Sequence, residues 1–169
     1  SGVHPKDPML RKCTFAVVDS AGKTVARPLE GNQQSVYRAE LAAVVYALQG
    51  STGPVRIVTD CQGVAKRVSD LAQGGDPRGL HADLERQAQT YLRAGVEVRW
   101  MPAHLTAEEA QRRQIAKVDL EGNAKADAAA SELSKAIFIP EPTDLAAHRR
   151  VASQVRDYWA RIGPKLTSC

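Results

Sequence analysis

Apolar and polar residues alternate over three short stretches of the chain, a pattern that predicts β-strands. The first stretch, CTFAVVDSAGKTVARPLEG, predicts a hairpin of strands over 13–18 and 23–28. The residues DSAGK between them favour a turn, because Asp, Ser and Gly readily adopt turn conformations. The segments GPVRIVTD and VEVRWMP predict two further strands, and the last of these stops at Pro102.

Apolar residues at helical spacing predict helices between and after these strands. Ser35 is a suitable N-cap for a helix over VYRAELAAVVYALQG, and CQGVAKRVSDLA and LHADLERQAQTYLRAG predict two more, the second ending at Gly95. The polar segment AHLTAEEAQRRQIAKVDLEGN predicts a mobile loop, followed by a helix over AKADAAASELSKA. The alternation of elements predicts an α/β fold, a mixed β-sheet flanked by helices.

The 169 residues suffice for one domain with a sizeable core and a tail. The segment IFIPEPTD contains two prolines, so we predict a domain over 1–135, a linker over 136–144 and a basic helical tail over 145–169. The run HRRVASQVRDYWARIGPK either contacts phosphates or is a solvated helix whose Tyr158 and Trp159 pack on the domain.

Charge and composition narrow the class of partner and the cellular compartment. The net charge of +4 is compatible with an anionic partner without requiring one. No apolar run approaches the ~20 residues that span a bilayer, and SGVHPKDPMLRK does not resemble a secretion signal, so we predict a cytoplasmic or nuclear protein without a membrane partner. Cys13, Cys61 and Cys169 form no CxxC pair, which predicts free thiols.

Three acidic residues, Glu40, Asp60 and Asp127, lie where packing does not require them. Glu40 lies beside the apolar face of its helix, Asp60 ends a strand, and Asp127 lies within the alanine-rich helix. Each alone is more simply explained as a capping or solvated acid. If they converge, their mutual repulsion requires a cation, and oxygen ligands without His or Cys suit Mg²⁺ or Mn²⁺. Two such ions ~4 Å apart can promote phosphodiester hydrolysis.

Four motifs in order, YRAELAAVVYAL, RIVTDCQGV, VRWMPAHLT and EGNAKADAAA, resemble the ribonuclease H type 1 family, particularly its branch in reverse transcriptases of retroviruses and retrotransposons. The resemblance covers roughly residues 1–133. It implies a ribonuclease H-like fold with a mixed five-stranded sheet. It also implies an endoribonuclease that hydrolyses the RNA strand of RNA:DNA hybrids with two Mg²⁺ or Mn²⁺ ions, and an upstream reverse transcriptase domain in the parent polyprotein.

The resemblance assigns catalytic roles to four residues of this chain. Glu40, Asp60 and Asp127 match the last three members of the family's metal-binding quartet of Asp, Glu, Asp and Asp. His104 in PAHLT matches the family's loop histidine, which is credited with proton transfer or product release.

The resemblance also assigns substrate-binding roles to Arg38, Gln62 and Asn123. Arg38 and Gln62 match positions that face the minor groove of the hybrid, where 2′-hydroxyls distinguish RNA from DNA. Tyr37 departs from the amide usual at its position, although an aromatic ring can still stack or pack there.

Two departures from the family pattern bear on activity. The family's first aspartate belongs to a DGS or DAS triplet that ends a first strand, and no such strand precedes the hairpin. Ser1 and Gly2 resemble the remnant of that triplet, so we predict that the missing Asp lies just before residue 1 and that the isolated chain is inactive. Asp7 and Asp19 are interpreted as turn residues and not as substitutes for that Asp. The segment 106–121 is also longer than usual, with HLT in place of HxG. The alternative is a catalytically incomplete, nucleic-acid-binding module with this fold.

Overall fold

The structure is a computed structural model that describes residues 2–3, 12–137, 146–147 and 149–158. The chain divides into two compact units, Ser1–Ile137 and Phe138–Cys169. All the candidate site residues belong to the first unit.

The hairpin predicted from the alternating pattern is confirmed. The antiparallel strands are β1 Gly2–Val3, β2 Lys12–Val18 and β3 Thr24–Pro28. β2 pairs with β3, and Asp19 Oδ1 closes their turn by accepting the amide hydrogens of Ala21 and Lys23, both at 2.9 Å. Gly22 adopts a φ of +80°, a left-handed conformation that costs glycine little.

A two-residue strand precedes the hairpin. It does not end in a DGS or DAS triplet, so the absence of a strand with that ending stays a prediction. β1 contributes only two residues, and they pair antiparallel with the start of β2, Gly2 opposite Cys13 and Val3 opposite Lys12. The sequence could not indicate so short a strand, because two residues are too few to establish an alternating pattern.

Two later strands form a parallel pair. β4 Val55–Thr59 and β5 Val96–Trp100 run in the same direction, with Thr59 opposite Trp100 at their carboxyl ends. Parallel and antiparallel pairings together confirm a mixed α/β architecture. Within the described part of the chain the strands are hydrogen-bonded as three plus two, not as one five-stranded sheet, because β1 pairs with β2 alone.

Within the described residues of the first unit, five α-helices pack with these strands. They are α1 Val36–Gly50, α2 Gln62–Ala72, α3 Ala82–Tyr91, α4 Ala107–Arg112 and α5 Lys117–Ile137. The predicted N-cap of α1 is confirmed, since Ser35 Oγ accepts the Arg38 amide hydrogen at 3.2 Å. α1 supplies much of the core, with Leu41, Val44 and Leu48 almost completely buried. α3 ends four residues before the predicted Gly95.

The segment 103–123, predicted as a mobile loop, is largely helical. α4 begins with a capping box in which Glu109 N donates to Thr106 Oγ1 at 3.2 Å and Thr106 N donates to Glu109 Oε2 at 3.0 Å. α5 begins at Lys117, so Gly122 and Asn123 lie inside a helix and not in a turn. The predicted helix over AKADAAASELSKA is therefore confirmed but begins seven residues earlier, and packing of α5 on β2 and β3 stabilises the polar first part that the sequence did not predict as helical.

The predicted linker and tail lie partly outside the described residues. Residues 136 and 137 form the end of α5, whereas 138–144 are not among those described. In the predicted tail, residues 146–147 and 149–158 are helical, and Trp159 lies beyond them. Cys61 is a free thiol, as predicted, Cys13 is buried, and Cys169 is outside the described part. Among the described helices, none combines the length and apolar character needed to cross a membrane.

Candidate active site

The three acidic residues singled out in the sequence come from three different elements. Glu40 lies in the second turn of α1, Asp60 directly follows β4, and Asp127 lies on an exposed face of α5. The pKa of Glu40 is raised, chiefly because the carboxylate is desolvated by burial and further because of the negative charges of Asp60 and Asp127. The fold therefore brings Asp60 and Asp127 within electrostatic reach of Glu40.

A hydrogen bond from Thr59 favours the charged form of Glu40. The Thr59 hydroxyl donates to Glu40 Oε2 at 3.3 Å, and this hydrogen bond lowers the Glu40 pKa against the larger effect of burial. No salt bridge among the described residues neutralises Glu40, Asp60 or Asp127. The cluster therefore concentrates negative charge that a bound cation would stabilise.

Backbone hydrogen bonds hold Asp60 in place at the end of β4. The indole Nε1 of Trp100 donates to the Asp60 carbonyl at 3.0 Å, and the Met101 amide donates to the Thr59 carbonyl at 3.0 Å. The Cys61 amide donates to Thr59 Oγ1 at 3.1 Å. The segment that carries Asp60 is therefore anchored to β5 and to its own turn.

The donor chemistry of this cluster suits a divalent metal, although the described geometry is not a finished metal site. Carboxylate oxygens are the ligands that Mg²⁺ and Mn²⁺ prefer. Among the residues that the structure describes, no group of three or more His, Cys, Asp or Glu side chains is placed to hold a metal ion. The acids are thus neighbours without being arranged around a common centre.

His104 lies in the turn between β5 and α4. Its side chain is exposed, and its φ of +54° lies in the left-handed region, which is uncommon for a residue other than glycine. Because it follows the carboxyl end of β5 by four residues, it lies on the chain just beyond the sheet edge that Asp60 occupies.

The structure places the three predicted substrate-binding residues in different environments. Arg38 is only 9% exposed, and its guanidinium donates to both carboxylate oxygens of Asp83 in α3, with Nη1 at 2.9 Å from Oδ1. This bidentate pair raises the pKa of Arg38 and holds that of Asp83 well below its usual range. Gln62 is exposed at the first residue of α2, and Asn123 is half-buried within α5. Their substrate-binding roles stay predictions.

Sequence reasoning missed an aromatic contact beside Gln62. The Tyr37 and His81 rings stack with centroids 5.0 Å apart. Tyr37 also packs closely on Gly63, where a Cβ atom would lie 3.2 Å from the Tyr37 ring. The sequence carries only a weak signal for such a contact, because 44 residues separate the two rings along the chain and the packing of α1 on α3 brings them together.

Comparisons with known proteins agree with this architecture. A family model described as RNase H matches residues 6–135. Among solved structures, the chain is similar to the solution structure of the RNase H domain of PFV, a foamy virus. That match has a TM-score of 0.58 and 21% sequence identity, and it covers 80% of this chain and 90% of the other, so it shows a shared fold. No curated protein matches the chain.

Proposed function

The chain belongs to the RNase H family, and from this premise we propose that it is an endoribonuclease that hydrolyses the RNA strand of RNA:DNA hybrids. Family membership makes it a ribonuclease H-type hydrolase. The observation that best supports the finer proposal is the raised pKa of Glu40, to which Asp60 and Asp127 both contribute. Packing does not require a half-buried carboxylate to lie within electrostatic reach of two others, whereas metal-assisted hydrolysis uses neighbouring carboxylates.

The proposal assigns each of these acids a part in holding metal. RNase H proteins generally use divalent metal ions. Glu40, Asp60 and Asp127 would hold Mg²⁺ or Mn²⁺, which when bound supplies an activated water and stabilises the leaving oxygen of the phosphodiester. Burial of Glu40 keeps competing water away from its carboxylate, and the anchored backbone of Asp60 restricts where that carboxylate can lie. His104, exposed beyond β5, would move a proton or assist product release.

We further propose that the family's first aspartate is contributed by polypeptide preceding Ser1. β1 pairs only with the first two residues of β2, and β3 occupies the opposite edge of β2 from Thr14 to Val18. Residues upstream of Gly2 could therefore continue the antiparallel pairing along β2. In the retroviral context that the foamy virus match suggests, a reverse transcriptase domain would lie further upstream.

A second candidate function is a nucleic-acid-binding module that keeps the fold without catalysis. One observation favours it, namely that no metal-binding group is formed among the described residues. The two candidates differ in whether the carboxylates act on the RNA strand or are merely retained.

Cleavage of a labelled RNA:DNA hybrid in Mg²⁺ or Mn²⁺ separates these functions. The experiment compares the chain, a form extended upstream by its natural sequence, and Asp60→Asn and Asp76→Asn in the extended form. Asp76 is an exposed loop acid and serves as a control for the loss of one charge. We expect the extended protein to cut only the RNA strand. Asp60→Asn should lower the rate by more than about 100-fold, because metal-assisted charge stabilisation is worth several kcal/mol.

The control and the alternative give different outcomes. Asp76→Asn should cut at the wild-type rate. Binding of the hybrid without cleavage in either metal, even by the extended protein, would establish the binding module and exclude the nuclease.

A further inference from the structure

We propose that Thr59 is a positioning residue of this site, whose hydroxyl joins the Glu40 carboxylate to the backbone segment that carries Asp60. This inference rests on the proposed nuclease function and adds a residue that contacts neither substrate nor metal.

The hydroxyl of Thr59 makes two hydrogen bonds, one with the Cys61 amide and one with the Glu40 carboxylate. Oγ1 accepts the Cys61 amide hydrogen at 3.1 Å and donates its own proton to Glu40 Oε2 at 3.3 Å. A hydroxyl has one proton and two lone pairs, so it can make both bonds at once. Thr59 is therefore a bridge between α1, which carries Glu40, and the turn that carries Asp60.

The backbone around Thr59 keeps this bridge in one place. Its carbonyl accepts the Met101 amide hydrogen at 3.0 Å, and it lies opposite Trp100 in the parallel ladder. The neighbouring Asp60 carbonyl accepts the Trp100 indole hydrogen at 3.0 Å. Because Thr59 is β-branched and lies in a strand, few χ1 rotamers are open to its side chain. The direction of the hydroxyl is consequently set by the fold.

Burial makes this hydroxyl difficult to replace. Thr59 is only 6% exposed, so its own hydroxyl is shielded from water, while Glu40 and Cys61 are half-buried beside it. A buried donor left without an acceptor is costly, and a carboxylate that loses its donor is free to rotate. Partners that orient metal-binding carboxylates in this way typically affect metal affinity or activity 10- to 100-fold.

Two substitutions separate the hydroxyl from the shape of the side chain. Thr59→Val keeps the volume and removes the hydroxyl, whereas Thr59→Ser keeps the hydroxyl and removes the methyl group. Three quantities are measured for each: hydrogen exchange of the Cys61 amide by NMR, affinity for Mn²⁺, and kcat and KM for the hybrid. Cleavage is measured in the form of the protein that cuts hybrid in the preceding experiment.

We expect Thr59→Val to accelerate Cys61 amide exchange, weaken Mn²⁺ binding about tenfold and lower kcat about tenfold with KM unchanged. The lower end of the range applies because the bond to Glu40 is long. Thr59→Ser should stay within about twofold of wild type in all three, as a retained hydrogen bond predicts. A purely structural role would change the stability without this division between kcat and KM. If Thr59→Val does not fold, Thr59→Ala is compared with Thr59→Ser in the same assays.

The outcomes distinguish this inference from the function on which it rests. Wild-type Mn²⁺ affinity and kcat in Thr59→Val, in a protein whose wild type cuts hybrid, would overturn the role of Thr59 and leave the nuclease intact. A wild type that neither cuts hybrid nor binds Mn²⁺ in any form would overturn both.

Discussion

A buried ion pair between Arg67 and Glu85 joins α2 to α3, and removing Arg67 should destabilise the domain substantially. Arg67 Nε and Nη2 donate to the two Glu85 carboxylate oxygens at 2.9 and 2.7 Å. The side chains are 12% and 5% exposed, respectively. Glu85 Oε2 also accepts the Arg78 amide hydrogen at 2.8 Å. This pair fixes α2, the helix that begins just after Asp60.

The cost of Arg67→Met follows from what remains around Glu85. Methionine keeps most of the apolar stem but leaves a buried carboxylate with the Arg78 amide as its remaining described partner. Breaking a buried pair from one side costs about 3–5 kcal/mol. Because one backbone donor survives, we expect a loss of about 3 kcal/mol in the free energy of unfolding, at the low end of this range. That loss is a large part of the 5–15 kcal/mol that typically stabilises a domain.

Urea denaturation followed by circular dichroism measures this change as a shift in midpoint at constant slope. Arg99→Met is the matched control, because Arg99 forms only a 3.8 Å surface pair with Glu97 whose side chains are both more than half exposed. It should leave the midpoint almost unchanged. In the double variant with Glu85→Leu, the loss should be smaller than the sum of the single losses by at least about 1 kcal/mol.

Two results would refute this reasoning. If Arg67→Met shifts the midpoint no more than Arg99→Met, the pair contributes no more than a surface contact. If the Arg67 and Glu85 substitutions are additive, the two side chains are not coupled and another contact holds α2 on α3.

Two further predictions concern α1, α2 and α3. Arg38 holds the pKa of Asp83 well below its usual range, and Arg67 lowers that of Glu85, so both acids bind protons more readily in the unfolded chain. Their contribution to stability is complete above the ordinary carboxyl pKa of about 4 and is lost as pH falls below it. The melting temperature should therefore drop from pH 5 to pH 3. An unchanged melting temperature would contradict this prediction. Ser35→Ala removes the N-cap of α1 and should cost about 1 kcal/mol in urea denaturation, whereas Ser35→Asp should retain the wild-type midpoint; equal midpoints for all three proteins would show that the cap is dispensable.

Local pattern determined much of the fold. The hairpin, the strands at GPVRIVTD and VEVRWMP and the helix capped by Ser35 form where alternation, helical spacing and capping chemistry indicate. These signals act over a few residues, so neighbouring residues suffice to express them. The exception is α4, because the polar composition of its segment indicates a loop although Thr106 and Glu109 form a capping box.

The family and the positions of Glu40, Asp60 and Asp127 were also available from the order of the motifs. Tertiary structure alone decided which side chains meet. Arg38 pairs with Asp83 across 45 residues, Arg67 with Glu85 across 18, and Thr59 with Glu40 across 19. Periodicity indicates which face of a helix or strand is apolar. It does not indicate which other element packs on that face or at what angle. The candidate carboxylates could therefore be named from the sequence, whereas the electrostatic effect of Asp60 and Asp127 on Glu40 and the Thr59 bridge arise only when α1, β4 and α5 pack together.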